Sequence, residues 1–195
     1  MKHIFKPVAI LALLFSGAVL FSCNSGSSSE QNTATTATEP ATTAGPGAIA
    51  EIAPSYADTL VEGKAVFTTT DDGKVNMELN LHIPSRANKE VAVHLHEHGD
   101  CGEMGNNAHG HWNPTNDTHG KWGSAHFHRG DIGNVTLDAD GNGKFQMQTD
   151  LWAIGGDDST KNILNRAVIV HGGVDDYVTQ PTGNAGNRIG CAVIK

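Results

Sequence analysis

The sequence predicts an all-β domain, an antiparallel sandwich or barrel with two long loops, and three observations point there. Apolar residues alternate with period two over several short segments, which sends successive side chains to opposite faces of a sheet. Turn signals rich in Gly and Asp separate these segments, and the 195 residues include 23 glycines with only 6% aromatics, a mix that suits a loop-rich β-protein. Helical periodicity is missing apart from a short turn expected over Ser159–Leu164, and there is no repeat at a solenoid period.

The strands follow in order. Leu60–Thr70 is rich in Val and Thr. Val75, Met77, Leu79, Leu81 and Ile83 then alternate strictly, and Asp71-Asp72-Gly73 between the two runs reads as a hairpin turn. Val91, Val93 and Leu95 alternate with Ala92, His94 and His96, so the two histidines share one face and the apolar residues point into the core. Val135–Asp138 and Lys144–Thr149 flank Ala139-Asp140-Gly141-Asn142-Gly143, a second predicted hairpin in which Asp138 and Asp140 are turn formers. Ala167–Val170 and Ile189–Ile194 complete the set. Two long connections remain, Gly99–Gly130 and Gly172–Arg188, and loops of that length in a compact domain are usually functional.

The N-terminus reads as an address. Lys2 and Lys6 precede an apolar run, Val8–Leu20, too short for a membrane span and proportioned like a signal peptide. Leu20-Phe21-Ser22-Cys23 puts a small residue directly before a cysteine and resembles the lipobox of bacterial lipoproteins. Residues 1–22 are therefore expected to be a lipoprotein signal peptide, and Cys23 the lipidated end of the mature chain. Residues 23–50, rich in Ser, Thr, Ala and Gly, cannot bury enough surface to fold and read as a flexible tether. Residues 51–195 are left as the folded domain. This organisation predicts a protein of a bacterial cell envelope, anchored to a membrane through lipid and facing the periplasm or the exterior. The formal charge of −8 argues against a nucleic-acid partner, since phosphate backbones select basic surfaces.

Such a compartment is oxidising. With Cys23 taken by lipid, Cys101 and Cys191 remain, and a bridge between them is expected rather than two free buried thiols. Closing a loop of that length stabilises a chain by about 4 kcal/mol in the entropic account.

Eleven histidines is a high count, and most lie between positions 82 and 128. His94 and His96 could chelate one ion, although a solvated strand face explains such a pair equally well. The long loop adds His111-Trp112-Asn113-Pro114, His119-Gly120 and His128-Arg129-Gly130-Asp131, and His171 follows Val168-Ile169-Val170 at a strand end. Imidazole suits copper and zinc, and a carboxylate added to histidines suits tetrahedral zinc.

The order of these motifs resembles the copper/zinc superoxide dismutase family. The stretches that carry the resemblance are His94-Leu95-His96-Glu97, His111-Trp112-Asn113-Pro114, His128-Arg129-Gly130-Asp131-Ile132-Gly133-Asn134, Val170-His171-Gly172-Gly173 and Gly183-Asn184-Ala185-Gly186-Asn187-Arg188-Ile189-Gly190-Cys191. Together they span essentially all of 51–195. The resemblance implies an eight-stranded Greek-key barrel of the sandwich architecture shared with immunoglobulin-like domains. It implies one copper and one zinc per chain, with His94, His96, His111 and His171 as copper ligands. His111, His119, His128 and Asp131 would be the zinc ligands, His111 bridging the two ions. Asp175 would hydrogen-bond both His94 and His119, fixing ring orientation and tautomer. Cys101 and Cys191 fall where the family's disulfide ties the metal loop to the barrel. Arg188 matches the arginine beside the copper channel.

The implied activity is disproportionation of superoxide to oxygen and hydrogen peroxide by Cu(II)/Cu(I) cycling. His111 and Arg188 would be the catalytic side chains, His111 handling a proton and Arg188 orienting the anion. Some members carry a lysine before Thr-Gly-Asn-Ala-Gly, where this chain has Pro181, and the loop between His171 and Arg188 holds no Lys or Arg. Electrostatic guidance is therefore expected to be weaker here. The resemblance allows a homodimer without requiring one. A non-catalytic metal buffer or carrier on the same fold is the alternative reading; it would be expected to have lost a copper ligand or Arg188, and neither is missing. A structural envelope lipoprotein with a vestigial site would show gaps in the ligand set, and there are none.

His3 belongs to the signal, and His82 reads as a solvated strand residue. His98, His109 and His126 sit beside the assigned ligands and are expected to face solvent. His111 is assigned over His109 because of the Asn-Pro that follows it, and His128 over His126 because of the His-x-Gly-Asp pattern.

Overall fold

The structure, a computed structural model, describes residues 47–195. The predicted signal peptide, Cys23 and most of the predicted tether lie outside the described residues. Eight strands form: β1 Gly47–Pro54, β2 Glu62–Thr69, β3 Val75–His82, β4 Glu90–His96, β5 Gly133–Thr136, β6 Asn142–Thr149, β7 Ala167–His171 and β8 Arg188–Val193. Their order is β5-β4-β7-β8-β1-β2-β3-β6, every pairing antiparallel. The β3–β4 and β6–β7 connections cross between the two halves, which makes this the Greek-key barrel that the resemblance implies. The barrel is nearly closed, because its two end strands, β5 and β6, meet only at the bridge Leu137↔Gly143.

That single bridge corrects the second predicted hairpin. The chain does reverse there, with Asp138 accepting from the amides of Asp140 and Asn142. No ladder follows, because β4 pairs with β5 from Glu90 to Val93 while β3 pairs with all of β6. A turn signal sets the reversal, not the partner. The tether boundary is also corrected, since β1 starts at Gly47. Ala48, Ala50 and Ile52 face the core, and Gly47–Ile52 pair with β2 before Ala53 and Pro54 pass to β8. Ser159–Leu164 turns without forming a helix, held by Thr160 and Asn162 amides on Asp158. Among the described residues the helical elements are two short 3₁₀ segments, Pro84–Arg86 and Glu103–Ala108.

Inward side chains of both halves fill the barrel, Phe67, Met77, Leu79, Val93 and Leu95 among them. Trp152 closes one end, edge-on to Phe67 at 6.1 Å with its indole N–H donated to the Arg129 carbonyl at 2.9 Å. Every residue of β4 from Val91 to His96 is buried, so the face carrying His94 and His96 is covered too. The long loops cover it. The Cys101–Cys191 disulfide forms and ties the loop carrying Glu103–Ala108 to β8.

Candidate metal centre

The centre is assembled on the outside of β4. The long loop returns antiparallel to the strand, with His96 bridged to His111 and the amide of Trp112 on the Leu95 carbonyl at 2.8 Å. The amide of Leu95 in turn donates to Gly130 at 2.9 Å. Gly130 is needed there, because a Cβ would collide with the Leu95 carbonyl. β4 therefore supplies His94 and His96, the end of β7 supplies His171, and the loop supplies His111, His119, His128 and Asp131. All seven are buried.

They converge as two donor sets. His94, His96, His111 and His171 form one, and His111, His119, His128 and Asp131 the other, with the donor atoms of each set within 4.8 Å of one another. The predicted bridging residue is the one common to both. The hydrogen bonds show which ring nitrogens face inward. Nε2 of His94 meets Asp175 Oδ2 at 2.8 Å, Nδ1 of His96 meets the His109 carbonyl at 2.8 Å, and Nδ1 of His171 meets the Gly186 carbonyl at 3.2 Å. Nε2 of His119 meets Asp175 Oδ1 at 2.9 Å, and Nε2 of His128 meets the Asp117 carbonyl at 3.2 Å. Each contact engages the outer nitrogen and leaves the other to face the set.

Four inward nitrogens are buried without a partner, Nδ1 of His94 and Nε2 of His96, His111 and His171, while Nδ1 of His119 and of His128 face the Asp131 carboxylate at 3.0 and 3.2 Å. An unsatisfied buried polar atom costs about 1–3 kcal/mol. Four of them in one donor set make sense as lone pairs awaiting a cation, and the imidazoles crowded on the one Asp131 carboxylate make sense as co-ligands of a second. The all-nitrogen set suits copper, and the set of three nitrogens and one carboxylate suits zinc. His111 faces both, since its Nδ1 lies 2.8 Å from Asp131 Oδ1 while its Nε2 points to the nitrogen set.

The two sets differ in charge. Burial lowers the pKa of His94 and pushes His96 and His171 well below the ordinary histidine value, and neighbouring imidazoles lower all three further. Burial likewise brings His111 down to about 4 against the pull of Asp131. These rings are neutral at pH 7, the form that binds metal. Burial also opposes the imidazolium of His119, yet Asp131 and Asp175 outweigh it and raise that pKa to about 9. Burial resists ionisation of Asp131, but hydrogen bonds from His111, His119 and His128 hold the carboxyl far below its usual range. Asp175 is lowered in the same way by His119 and His94.

Asp175 connects the sets, one oxygen on His94 and the other on His119, as the resemblance implies. Gly183 makes room for it. Its φ is +68°, and a Cβ there would overlap both Asp175 and the His119 ring. Arg188, half-buried at the start of β8, donates to the Gly105 and His109 carbonyls, each at 2.6 Å. Among the described residues it has no ion pair, so it is not held by a salt bridge.

Some supporting groups have no sequence signal. The His109 carbonyl holds both His96 and Arg188. Asn134 brackets the main chain of Asp175 from both sides, at 2.9 and 2.8 Å. Gln180 does the same for His119, at 2.9 Å each way. The remaining histidines among the described residues stay outside both donor sets. His98 and His109 pack on each other, His126 pairs with Asp117 at 2.8 Å, and His82 meets Asn142 at 2.8 Å.

A Greek-key barrel carrying two adjoining histidine nests joined by one imidazole defines a protein built for two transition-metal ions side by side. A family model described as copper/zinc superoxide dismutase matches residues 61–194. Superoxide dismutase [Cu-Zn] 2 of Aquifex aeolicus is 37% identical over 141 residues, covering 69% of this chain and 80% of that protein. The corresponding Humicola lutea enzyme is 34% identical over 146 residues, covering 70% and 92%. A crystal structure described as the clock protein EA4 superposes with a TM-score of 0.66 at 32% identity, covering 76% of this chain and 92% of that one. The chain belongs to the copper/zinc superoxide dismutase family. The family implies one copper and one zinc, and this chain has a donor set suited to each.

Proposed function

We propose that this chain disproportionates superoxide, two anions and two protons giving one oxygen and one hydrogen peroxide. The observation that carries the reading is the pair of complete, buried donor sets sharing His111, with Arg188 braced by the same His109 carbonyl that orients His96. His94, His96, His111 and His171 would hold copper, and His111, His119, His128 and Asp131 would hold zinc. When bound, copper supplies one-electron exchange, while zinc, which has no redox chemistry, supplies charge and geometry.

The chain's own residues do the rest. His111 accepts a proton at Nε2 and delivers it to the reduced anion; Asp131 at its Nδ1 side fixes the ring. Arg188 attracts and orients superoxide by charge-assisted hydrogen bonding. With no Lys or Arg between His171 and Arg188 on an acidic chain, guidance is local to the cleft and weaker than in members with lysines there. Association as fast and as salt-sensitive as in those members would refute this point. Asp175 keeps the two nests in register.

The test is metal content together with superoxide decay for the wild type and His111→Ala. The wild type should hold one copper and one zinc and consume superoxide rapidly, and the variant should lose most turnover. Full metal with no turnover in the wild type would instead indicate the buffer or carrier alternative.

We also propose that the protein is exported and anchored by lipid at Cys23 in a bacterial envelope. The lipobox-like segment and the Cys101–Cys191 disulfide support this. The intact mass of the native protein checks it: a chain starting at Cys23 with attached acyl groups is the expected result, and an unmodified Cys23 the contrary one.

A further inference from the structure

Two histidines beside the metal centre contribute no side chain to it, and their rings meet each other. Beyond the His96↔His111 bridge the two chain segments continue side by side, with Glu97 donating to the Gly110 carbonyl at 3.1 Å and His98 to the Ala108 carbonyl at 3.2 Å. This register sets His98 opposite His109, and their rings lie 4.5 Å apart and nearly perpendicular. The chain bends over 97–99, which brings the Glu97 carboxylate to the same spot. One donor atom from each of the three residues lies within 4.8 Å of the other two. Donors around a tetrahedral zinc are about 3.4 Å apart, a distance set by bonds of about 2.0–2.1 Å to nitrogen. Small side-chain rotations close the gap, and the two histidines are exposed and free to make them.

We propose that Glu97, His98 and His109 form a third metal site, on the surface, for a single divalent ion of the zinc or copper type. Two imidazoles and a carboxylate make a borderline donor set, and exposure leaves the remaining positions to water. None of the three side chains has another hydrogen bond or ion pair among the described residues. Arg166, the nearby cation, is bonded to the Glu97 carbonyl at 2.7 Å rather than to its carboxylate. With only three protein ligands and open water positions, the site would exchange its ion readily, unlike the buried nests. Its location is specific. His109 would take the ion with its ring while its carbonyl accepts from His96 and Arg188. An ion there adds positive charge beside Arg188 on a protein of net charge −8.

The test uses the full chain already loaded with copper and zinc, dialysed to equilibrium against micromolar free zinc. The wild type should take up one further zinc per chain. The double variant His98→Ala/His109→Ala should lose that ion, at least tenfold in affinity, while keeping its two resident ions and its circular dichroism spectrum. Glu97→Gln should weaken it less, and His126→Ala not at all. The proposal is overturned if the wild type takes up no further zinc even at millimolar concentration. It is equally overturned if the double variant, still folded and loaded, takes up the extra ion as the wild type does.

Discussion

The two nests are built from the same ring and behave in opposite ways. Around His94, His96 and His171 the outer nitrogens are met by two main-chain carbonyls and one shared carboxylate, and burial dominates, so the rings stay neutral. Around His119 the carboxylates of Asp131 and Asp175 outweigh burial, and His119 is held protonated near neutral pH until a metal displaces the proton. One carboxylate placed among the donors therefore turns a nest of neutral rings into one that holds an imidazolium–carboxylate pair. His111 belongs to both and has its pKa lowered like the first group, which leaves it neutral when either ion arrives.

The sharpest way to break this contrast is Asp131→Asn. It removes the anion and keeps the size, so zinc affinity should drop by more than about 100-fold, beyond the usual loss for an outer partner. Copper affinity should fall by less than tenfold. Chelator competition with each metal reads both, and an equal loss at the two sites would dissolve the distinction. Asp175→Asn is the next largest test, because its two oxygens serve one histidine of each nest. A loss of about 10–100-fold in affinity is expected at both sites, as for other outer-shell partners. A loss confined to one nest would show that Asp175 does not couple them.

The smallest effect concerns protons in the metal-free protein. His119, raised to about 9, stabilises the fold fully below its ordinary value of 6.5, and this contribution is lost as pH rises from there through about 9. The buried neutral histidines act oppositely. Their folded pKa values are lowered, so stability is intact above 6.5 and declines as pH falls, for His111 down to about 4. Each group contributes a slope of at most about 1.4 kcal/mol per pH unit. Denaturant unfolding of the metal-free protein across pH should peak near 6.5, with the acid limb steeper because more histidines act there. Binding to the metal-free protein at pH 8, zinc alone should release about one proton, from His119, and copper alone none, while whichever ion binds second releases a further proton from His111; calorimetry in two buffers measures the difference.

Much of this was legible in the amino-acid order, for identifiable reasons. β3 could be read because its apolar residues strictly alternate, and β4 because its histidines and aliphatics take opposite faces. β1 is not legible in the sequence because Gly-Ala-Ile-Ala looks like the small-residue tether before it, and Ala48 and Ala50 are buried only once β1 pairs with β2 and β8. The β5–β6 turn motif predicts a ladder that does not form, because a turn motif is local and a ladder is not. At the site the residue types themselves are the signal, so the histidines and Asp131 could be named, and the resemblance sorted them into sets. The His109 carbonyl could not be named in the same way, because every residue has a carbonyl. Gln180 and Asn134 act on main-chain atoms brought close only by folding. The meeting of His98 with His109 depends on a register that continues past the end of β4.

The disulfide has a consequence for the guanidinium. Cys191 lies on the same strand as Arg188, and Cys101 lies in the loop whose Gly105 carbonyl receives that arginine. The Gly105 amide is itself bonded to the Cys101 carbonyl at 3.2 Å. Strand, sulfur bridge and loop thus make a small closed truss, with the arginine as its cross-member. One strut of that truss is a bond that forms readily in oxidising surroundings and is rare in reducing ones. The position of Arg188 therefore depends on that bond as well as on the strand that carries it.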